Sequence, residues 1–330
     1  MRPLSKLLLF FLFVSCYSLK NNDLTPEKYM KEVFEIVEKH SIRRDSIDFK
    51  AIKKVVYNKL KSTDSIEDCY PLIQYTLAEL KDHHSVFLPK EKLESWKSTS
   101  KTKSINQIIT FHCKTLNNDI GYIAMRGFSS GDSISIQTYS DSLQSKIKSI
   151  DDKNIKGWIL DLRENTGGNC WPMLTGLGPL LNDGVCGYFV DNKGKKASWF
   201  YNKGQAGIDS TSITKVSKKP YYLINNENPI AVLTSPKTGS SGEVVTTAFH
   251  NKKNARSFGE STAGLTTGNS PFNLSDGSAI FLTTSIYMDR KGVIFGSRIN
   301  PDETIKSPSF SVSLHDDPVI QRATEWIYEY

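Results

Sequence analysis

The amino-acid sequence predicts an α/β protein in which a small helical region precedes a larger region of alternating strands and helices. Apolar residues keep helical spacing through residues 25–81. From residue 108 onward short β-rich runs and helical patterns alternate, most clearly through residues 120–290. Because 330 residues suffice for about two domains, we expect a helical N-terminal domain at 25–81, a connection at 82–107 and an α/β domain at 108–330.

The composition argues against a nucleic-acid partner. The net charge of +7 comes from 42 basic and 35 acidic residues that are spread along the whole chain, without a basic block. With 38% apolar and 11% aromatic residues, the chain is typical of a globular protein. We therefore interpret the charge as a contribution to solubility.

The N-terminus has the pattern of a secretory signal. Arg2 and Lys6 precede an apolar run at residues 7–14, which is too short for a stable membrane anchor. The letters FVSC at residues 13–16 also resemble a bacterial lipobox, in which Cys16 is acylated and becomes the first mature residue. An ordinary signal peptide that contains a cysteine is the alternative. We expect a signal peptide at 1–16 and an exported protein, either periplasmic or anchored to the membrane through a lipidated Cys16.

The other cysteines indicate no metal or redox site, because their spacing matches no such motif. Export permits disulfides between them, but buried free thiols are the simpler interpretation. We predict no metal and no cofactor. These cysteines are Cys69, Cys113, Cys170 and Cys186.

Three helices are expected before residue 81. Thr25 can cap the first, with Pro26 at its first position, and its apolar spacing continues to about His40. A second helix carries the apolar residues of 49–60, and a third is expected at 65–80. The polar, lysine-rich residues 90–103 are expected to form an exposed connection.

The later elements follow from turn residues and apolar periodicity. Hairpins are expected around residues 116–119 and around 192–194. Asp317 and Pro318 begin a final amphipathic helix. The remaining predictions are helices at 134–149, at 170–181 and after Ser241, and strands at 230–234, 257–259 and 279–285.

Two of these strands run into small-residue turns that can support chemistry. GWILDL at 157–162 is apolar on both faces, which predicts a buried strand, and Gly167 and Gly168 follow it. Such glycines allow adjacent N–H groups to point outward together, as an oxyanion hole requires. A plain strand-to-helix turn explains the pattern equally well.

A serine and a histidine complete the candidate chemistry. SSGE at 240–243 fits a capping box with Ser240 as N-cap and Glu243 as its partner, but a serine after a strand can also be a nucleophile. DHHS at 82–85 follows the third predicted helix. A histidine there can stabilise the helix C-terminus, or it can take the proton of a serine.

Together these motifs resemble the S41 serine peptidases, the C-terminal processing and tricorn-core peptidases, over residues 70–305. The resemblance implies a core similar to the crotonase and ClpP superhelix, a peptide or protein substrate, and no cofactor. The motifs, in order, are DHHS (82–85), DLRENTGG (161–168), GSSGE (239–243), GESTAG (259–264) and NPD (300–302).

The resemblance also implies roles for individual residues. Ser240 would be the nucleophile, and the N–H of Ser241 with that of Gly167 or Gly168 would form the oxyanion hole. Processing peptidases use a lysine base downstream of the serine, but this chain has no lysine between residues 253 and 291. The tricorn-like arrangement therefore makes His84 the base, with its neighbour His83 the competing assignment.

The acid that orients the histidine is open, because no glutamate stands in FGSR at 295–298, just before the NPD motif. Glu243, Glu260 and Asp302 are unranked candidates. A PDZ domain is expected to be absent, since only about 35 residues separate His84 from the strand at 120. Substrate selection would then depend on the cleft, by addition of an extended peptide to a sheet edge.

The sequence thus predicts an exported serine endopeptidase with a Ser-His mechanism. One alternative is a catalytically inactive peptide- or ligand-binding lipoprotein on the same scaffold. Another is a lipoprotein with a structural or interaction role, in which Ser240 only caps a helix.

Overall fold

The computed structural model describes residues 24–98, 108–307 and 313–330. The predicted signal peptide and Cys16 lie outside the described residues. No helix within the three described ranges is both long and apolar enough to cross a membrane.

The helices form where caps and apolar spacing predict them. Thr25 accepts a hydrogen bond from the Lys28 N–H at the start of the first helix. The predicted helix at 65–80 is divided into a 3-10 turn at Glu67–Cys69 and an α-helix, because Pro71 fits only in a first helical turn. The described α-helices are α1 (Pro26–His40), α2 (Phe49–Leu60), α3 (Tyr70–Glu79), α4 (Lys90–Ser98), α5 (Ser133–Ile150), α6 (Cys170–Gly176), α7 (Gly178–Leu181), α8 (Ser241–Phe249) and α9 (Pro318–Glu329).

The strands form two sheets. In chain order they are β1 (Val86–Leu88), β2 (Phe111–Leu116), β3 (Ile120–Met125), β4 (Gly157–Asp161), β5 (Gly184–Val190), β6 (Lys196–Asn202), β7 (Gln205–Ile208), β8 (Thr211–Lys215), β9 (Ile230–Thr234), β10 (Ala255–Gly259), β11 (Thr267–Asn273), β12 (Ala279–Asp289) and β13 (Glu303–Thr304). The first sheet has the order β1-β12-β5-β6-β7-β8, with β11 also paired to β12, and it is antiparallel. The second has the order β13-β10-β9-β4-β3-β2, and all its pairs except β2-β3 are parallel.

The second sheet brings the two glycine-rich and serine-rich turns together. Every residue of β4 and β9 is buried, as their continuous apolar sequences predict for central parallel strands. Trp158 pairs with Ile230, and Asp161 pairs with Leu233. Since the two strands are parallel neighbours, their carboxyl ends meet at one edge of the sheet.

Helices cover both faces of this sheet. Helix α9 packs on one face through Val319, Ile320 and Ala323. Residues of α5, α6 and α8 pack on the other face, in a core that continues to Trp199 and Tyr201 of the first sheet. The predicted α/β fold with a preceding helical region is confirmed.

The N-terminal helices pack against the first sheet. Their apolar residues share one core with Phe87 of β1 and with Ile280 and Leu282 of β12. The core of the N-terminal helices is thus completed by later strands. The domain boundaries at 81 and 107 stay a prediction.

Several elements were absent from the sequence prediction. Strand β1 and helix α4 lie within the segment expected to be a connection. Strand β11 has the sequence TGNSPFN, whose glycine, proline and asparagines are depleted in strands. It pairs with β12 alone, and such an edge position tolerates Pro271.

An ion-pair network fixes the loop after β4 to the C-terminal helix. The Arg163 guanidinium donates to both Asp161 carboxylate oxygens, at 3.0 and 2.7 Å, and to Asp317 at 2.7 Å. Tyr122 donates its hydroxyl to Asp161 at 2.9 Å. Asp317 in turn accepts the Val319 N–H at 2.9 Å and so caps α9. The side chains of Arg163, Asp161 and Asp317 are all largely buried.

Substitution of Asp317 separates the ion pair from the helix cap. Asp317→Asn retains a capping oxygen but removes the charge that faces Arg163, so we expect a loss of about 2 kcal/mol in the free energy of unfolding. Asp317→Ala removes the cap as well and should cost about 1 kcal/mol more. Urea unfolding of both variants measures the two steps. Wild-type stability in Asp317→Asn would show that the ion pair contributes nothing.

Candidate active site

The turn after β4 requires glycine at two successive positions. Gly167 has φ +106° and Gly168 has φ +116°, a region that other residues rarely adopt. A Cβ on Gly168 would overlap the Phe128 carbonyl oxygen, and one on Gly167 would lie 2.8 Å from Ser240 Cβ. The glycine turn therefore packs directly against the serine.

The turn after β9 holds Ser240 in an unusual conformation. Ser240 has φ +51° and ψ −113°, which is strained for a residue with a side chain. Its N–H donates to Glu243 Oε2 at 2.8 Å, which is the glutamate half of the predicted capping box. Its hydroxyl oxygen lies 3.0 Å from His84 Nε2. The serine side chain is thus placed beside an imidazole that comes from a distant part of the chain.

A compact turn presents His84. Asp82 accepts hydrogen bonds from the N–H groups of His84 and Ser85, at 3.0 and 2.8 Å, and from the Ser85 hydroxyl at 2.6 Å. Ser85 Oγ also accepts the Thr283 N–H at 2.9 Å, which joins the turn to β12. Asn269 of β11 donates to the His84 carbonyl at 2.8 Å. The DHHS motif is therefore fixed against the first sheet.

The two neighbouring histidines face different grooves. His84 lines the cleft that contains Ser240, whereas His83 is exposed, has φ +55° and lines a separate groove with Asp82. Of the two, the structure brings His84 to Ser240.

The other nitrogen of His84 meets a hydroxyl. His84 Nδ1 lies 2.7 Å from Thr267 Oγ1, at the start of β11. Sequence reasoning missed Thr267 because β11 was not predicted and because a threonine in this role has no sequence signature. The fold alone brings it to the histidine.

The carboxylates of the three candidate acids accept hydrogen bonds from groups other than His84, which corrects the expectation that one of them orients this histidine. Glu243 is fully buried and accepts bonds from Thr262 Oγ1 and Gly264 N at 2.5 and 2.8 Å, in addition to Ser240 N. Asp302 accepts bonds from Ser257, and Glu260 accepts the Ser307 N–H. Among the described hydrogen bonds, none of the three carboxylates joins His84 or Thr267. Glu243 instead shapes the serine turn.

The glycine and serine turns expose two backbone donors. Gly167 N–H donates to Asn165 Oδ1 at 3.1 Å, whereas no acceptor for the N–H of Gly168 or Ser241 is found among the described residues. Ser241 Oγ donates to the Gly168 carbonyl at 2.5 Å and joins the two turns. Gly168 and Ser241 both line the cleft of Ser240. Two free donors at this position can stabilise a developing oxyanion.

Burial controls the charge state of the site. It lowers the pKa of His84 below its usual value of 6.5, although the Asp82 charge acts in the opposite direction. Burial also raises the pKa of Glu243, while hydrogen bonds from Thr262 and from backbone N–H groups partly offset this effect. A neutral imidazole can therefore act as a base near neutral pH.

The cleft has a volume of about 630 Å³ and an uncharged lining apart from His84. Cys170 also lines it, but burial raises the pKa of that thiol to about 12, so the thiolate is scarce. The apolar and aromatic lining includes Val86, Leu88, Trp171, Phe189, Phe281 and Tyr287.

The cysteines form no disulfide among the described residues: Cys69, Cys113, Cys170 and Cys186 are free thiols. In the part of the chain that the structure describes, no group of three or more His, Cys, Asp or Glu is placed to hold a metal ion.

Known proteins are similar to this chain in sequence. The nisin-resistance protein of Lactococcus lactis subsp. lactis is 29% identical over 279 residues, which cover 84% of this chain and 83% of that protein. The carboxy-terminal processing protease CtpA of Bacillus subtilis is 28% identical over 204 residues, 61% of this chain and 38% of CtpA. The sequence alignments with CtpA and other processing peptidases cover less than half the length of those proteins.

Solved structures share the fold. A lipoprotein from Streptococcus agalactiae superposes with a TM-score of 0.74 at 28% identity, covering 93% of this chain and 97% of that one. The photosystem II D1 C-terminal processing protease has a TM-score of 0.60 at 15% identity, covering 86% and 94%, and is a likeness of fold alone.

The family model of peptidase family S41 matches residues 119–305, which is more than half of the chain. The match contains the glycine turn and Ser240, while His84 lies before it. The resemblance of the motifs is confirmed, and this chain belongs to peptidase family S41.

Proposed function

We propose that this protein is an exported serine endopeptidase in which Ser240 is the nucleophile and His84 the general base. The observation that carries the proposal is the 3.0 Å separation of Ser240 Oγ and His84 Nε2, two residues that are 156 positions apart. A nucleophile and a base within hydrogen-bonding distance are the geometric requirement for activating a serine.

The proposed reaction proceeds by acyl transfer. The Ser240 hydroxyl gives its proton to Nε2 as Oγ bonds to the peptide carbonyl carbon, and the N–H groups of Gly168 and Ser241 hold the oxyanion. The protonated imidazole then gives the proton to the leaving amine as the C–N bond breaks. Water then attacks the acyl carbon and gives a proton to His84 Nε2, which returns it to Ser240 Oγ as the ester C–O bond breaks and the new carboxylate leaves. Gly167 is left out of the oxyanion hole because its N–H is already bonded to Asn165.

Thr267 takes the place of an orienting carboxylate in this scheme. With Nδ1–H donating to Thr267 Oγ1, Nε2 is free to accept the serine proton. A hydroxyl stabilises the imidazolium less than a carboxylate would. The same observation favours a second candidate, a peptide-binding protein on this scaffold without activity. Failure of a fluorophosphonate probe to label Ser240 would select that candidate.

The substrate is proposed to be an extended peptide with an apolar segment, because the cleft lining is uncharged and largely apolar beyond His84. The similarity to the nisin-resistance protein, which extends over 84% of this chain, leads us to include nisin among the substrates to be tested. The likeness to a streptococcal lipoprotein supports export and attachment to the membrane through Cys16.

Ser240→Ala should abolish peptide cleavage. We expect at least a ~10³-fold loss of kcat/KM, because the remaining oxyanion donors cannot replace the nucleophile. Release of new amino termini from a casein or peptide-library digest measures this. Ser62→Ala, which changes an exposed serine at the end of α2, is the matched control and should retain activity. Undiminished cleavage by Ser240→Ala would refute the assignment of the nucleophile.

The pH dependence of kcat/KM tests His84. The base must be neutral, so activity should rise with pH through the His84 pKa and its acid limb should lie below pH 6.5. Asp82→Asn removes a charge that raises this pKa, and the limb should move to lower pH. Asp302→Asn is the control. Asp302 likewise accepts hydrogen bonds from the N–H and the hydroxyl of one serine, Ser257, but it has no hydrogen bond to the turn that carries His84. A limb that stays in place in Asp82→Asn, or moves equally in both variants, would contradict the assignment.

Mass spectrometry of the mature N-terminus tests the lipid anchor. We expect the first residue to be Cys16 with a diacylglycerol thioether, and Cys16→Ala should release the protein from the membrane fraction. An unmodified N-terminus beyond residue 16 would exclude lipidation.

A further inference from the structure

Asn165 is a buried polar residue between the glycine turn and the serine turn, and the proposed reaction assigns it no step. It belongs to the DLRENTGG motif and is 0% exposed. Its Nδ2 donates to Met173 Sδ at 3.6 Å. A buried amide is costly unless its polar atoms are hydrogen-bonded, so the remaining partners of Asn165 show what its burial achieves.

The hydrogen bonds of Asn165 join the two turns. Its side-chain Oδ1 accepts the Gly167 N–H at 3.1 Å, and its backbone carbonyl accepts the Gly239 N–H at 3.0 Å. One residue thus holds the position before Gly168 in the glycine turn and the position before Ser240 in the serine turn.

Helix α8 begins against the same residue. A Cβ on Gly242 would lie 2.5 Å from the Asn165 carbonyl oxygen and 3.1 Å from Oδ1, so a larger residue does not fit there without movement. Gly242 follows Ser241, whose N–H is one of the two cleft donors without an acceptor among the described residues. Each of these two donors is therefore next in sequence to a glycine that contacts Asn165.

The bond to Oδ1 decides which N–H of the glycine turn is free. Glycine has the widest choice of backbone angles, and Gly167 and Gly168 both have positive φ, at +106° and +116°. With its N–H held by Asn165, Gly167 keeps one orientation, and the N–H of Gly168 stays available at the cleft lining. An oxyanion donor must be held within about 0.5 Å of its place to act in the transition state.

We propose that Asn165 is the positioning residue of the oxyanion hole in the peptidase proposed above. Its amide oxygen holds the Gly167 N–H so that the Gly168 N–H points at the developing oxyanion, and its carbonyl bond to Gly239 keeps the hole in register with Ser240. Asn165 is not part of the described cleft lining and acts through the two turns. The inference rests on the proposed function, because the oxyanion forms only when Ser240 attacks a carbonyl.

Asn165→Ala tests this role, because it removes the acceptor of the Gly167 N–H. We expect kcat to fall about 10- to 100-fold with KM changed less than about twofold, since the hole matters only once charge develops. The affinity for a peptide aldehyde, whose hemiacetal oxygen would occupy the hole, should weaken by a similar factor. The matching peptide alcohol, which forms no hemiacetal, should bind as tightly as it does to the wild type.

Asn254→Ala is the matched control for a purely structural effect. Asn254 is also buried, at 3% exposed, and its amide donates to the carbonyls of Asn226 and Asn228. It lies at the amino end of β9, whereas Ser240 follows the carboxyl end of that strand. Both variants should lower the urea midpoint of unfolding, but Asn254→Ala should keep wild-type kcat and aldehyde affinity. A loss of kcat of the same size in both variants would overturn the positioning role.

A second variant keeps the test decisive if Asn165→Ala does not fold. Asn165→Asp has the same shape and keeps an acceptor for Gly167, but its carboxylate places a negative charge one residue away from the Gly168 donor. An ionised carboxylate there opposes the oxyanion, so kcat and aldehyde affinity should fall at least about 10-fold on the alkaline side of the pH profile.

Wild-type kcat and aldehyde affinity in the variant that folds, together with an inactive Ser240→Ala, would overturn the role of Asn165 alone. A wild-type protein that neither cleaves peptides nor forms the hemiacetal would overturn the proposed function and this inference together.

Discussion

The parallel pairing of two buried strands, β4 and β9, is the constraint on which the candidate site depends. Their carboxyl ends meet at one edge of the second sheet, so the glycine turn and the serine turn begin side by side. Hydrogen bonds then fix the turns to each other: Gly239 N–H donates to the Asn165 carbonyl at 3.0 Å, and Thr238 Oγ1 donates to the Leu162 carbonyl at 2.9 Å. The free backbone donors and Ser240, the proposed nucleophile, are consequently parts of one rigid unit.

The proposed base, His84, comes from the other sheet. His84 precedes β1 and Thr267 begins β11, so both belong to the first sheet or its edge. The core that joins the sheets contains Trp158 and Trp199, one from each. Because Ser240 and His84 are carried by different sheets, the 3.0 Å separation of Ser240 Oγ and His84 Nε2 depends on this shared core, and a packing change far from Ser240 can alter it.

Much of the second sheet could be predicted from sequence, because central parallel strands are continuously apolar and their ends carry glycine and serine motifs. The motifs point to Ser240 and His84 through residue types suited to a nucleophile and a base, and the structure places these two side chains 3.0 Å apart. Thr267 was not found, since the partner of a histidine nitrogen is set by packing between sheets. The acid prediction failed for the same reason: Glu243 is close in sequence to Ser240, but its carboxylate is used to hold the turn.

The most direct measurement is a crystal structure of the protein after incubation with a peptide aldehyde that has an apolar side chain next to the aldehyde. The account predicts a hemiacetal bonded to Ser240 Oγ, with its oxygen near the N–H groups of Gly168 and Ser241 and with His84 Nε2 within hydrogen-bonding distance. A peptide bound in the cleft with Ser240 unmodified, or an adduct on a different residue, would contradict it.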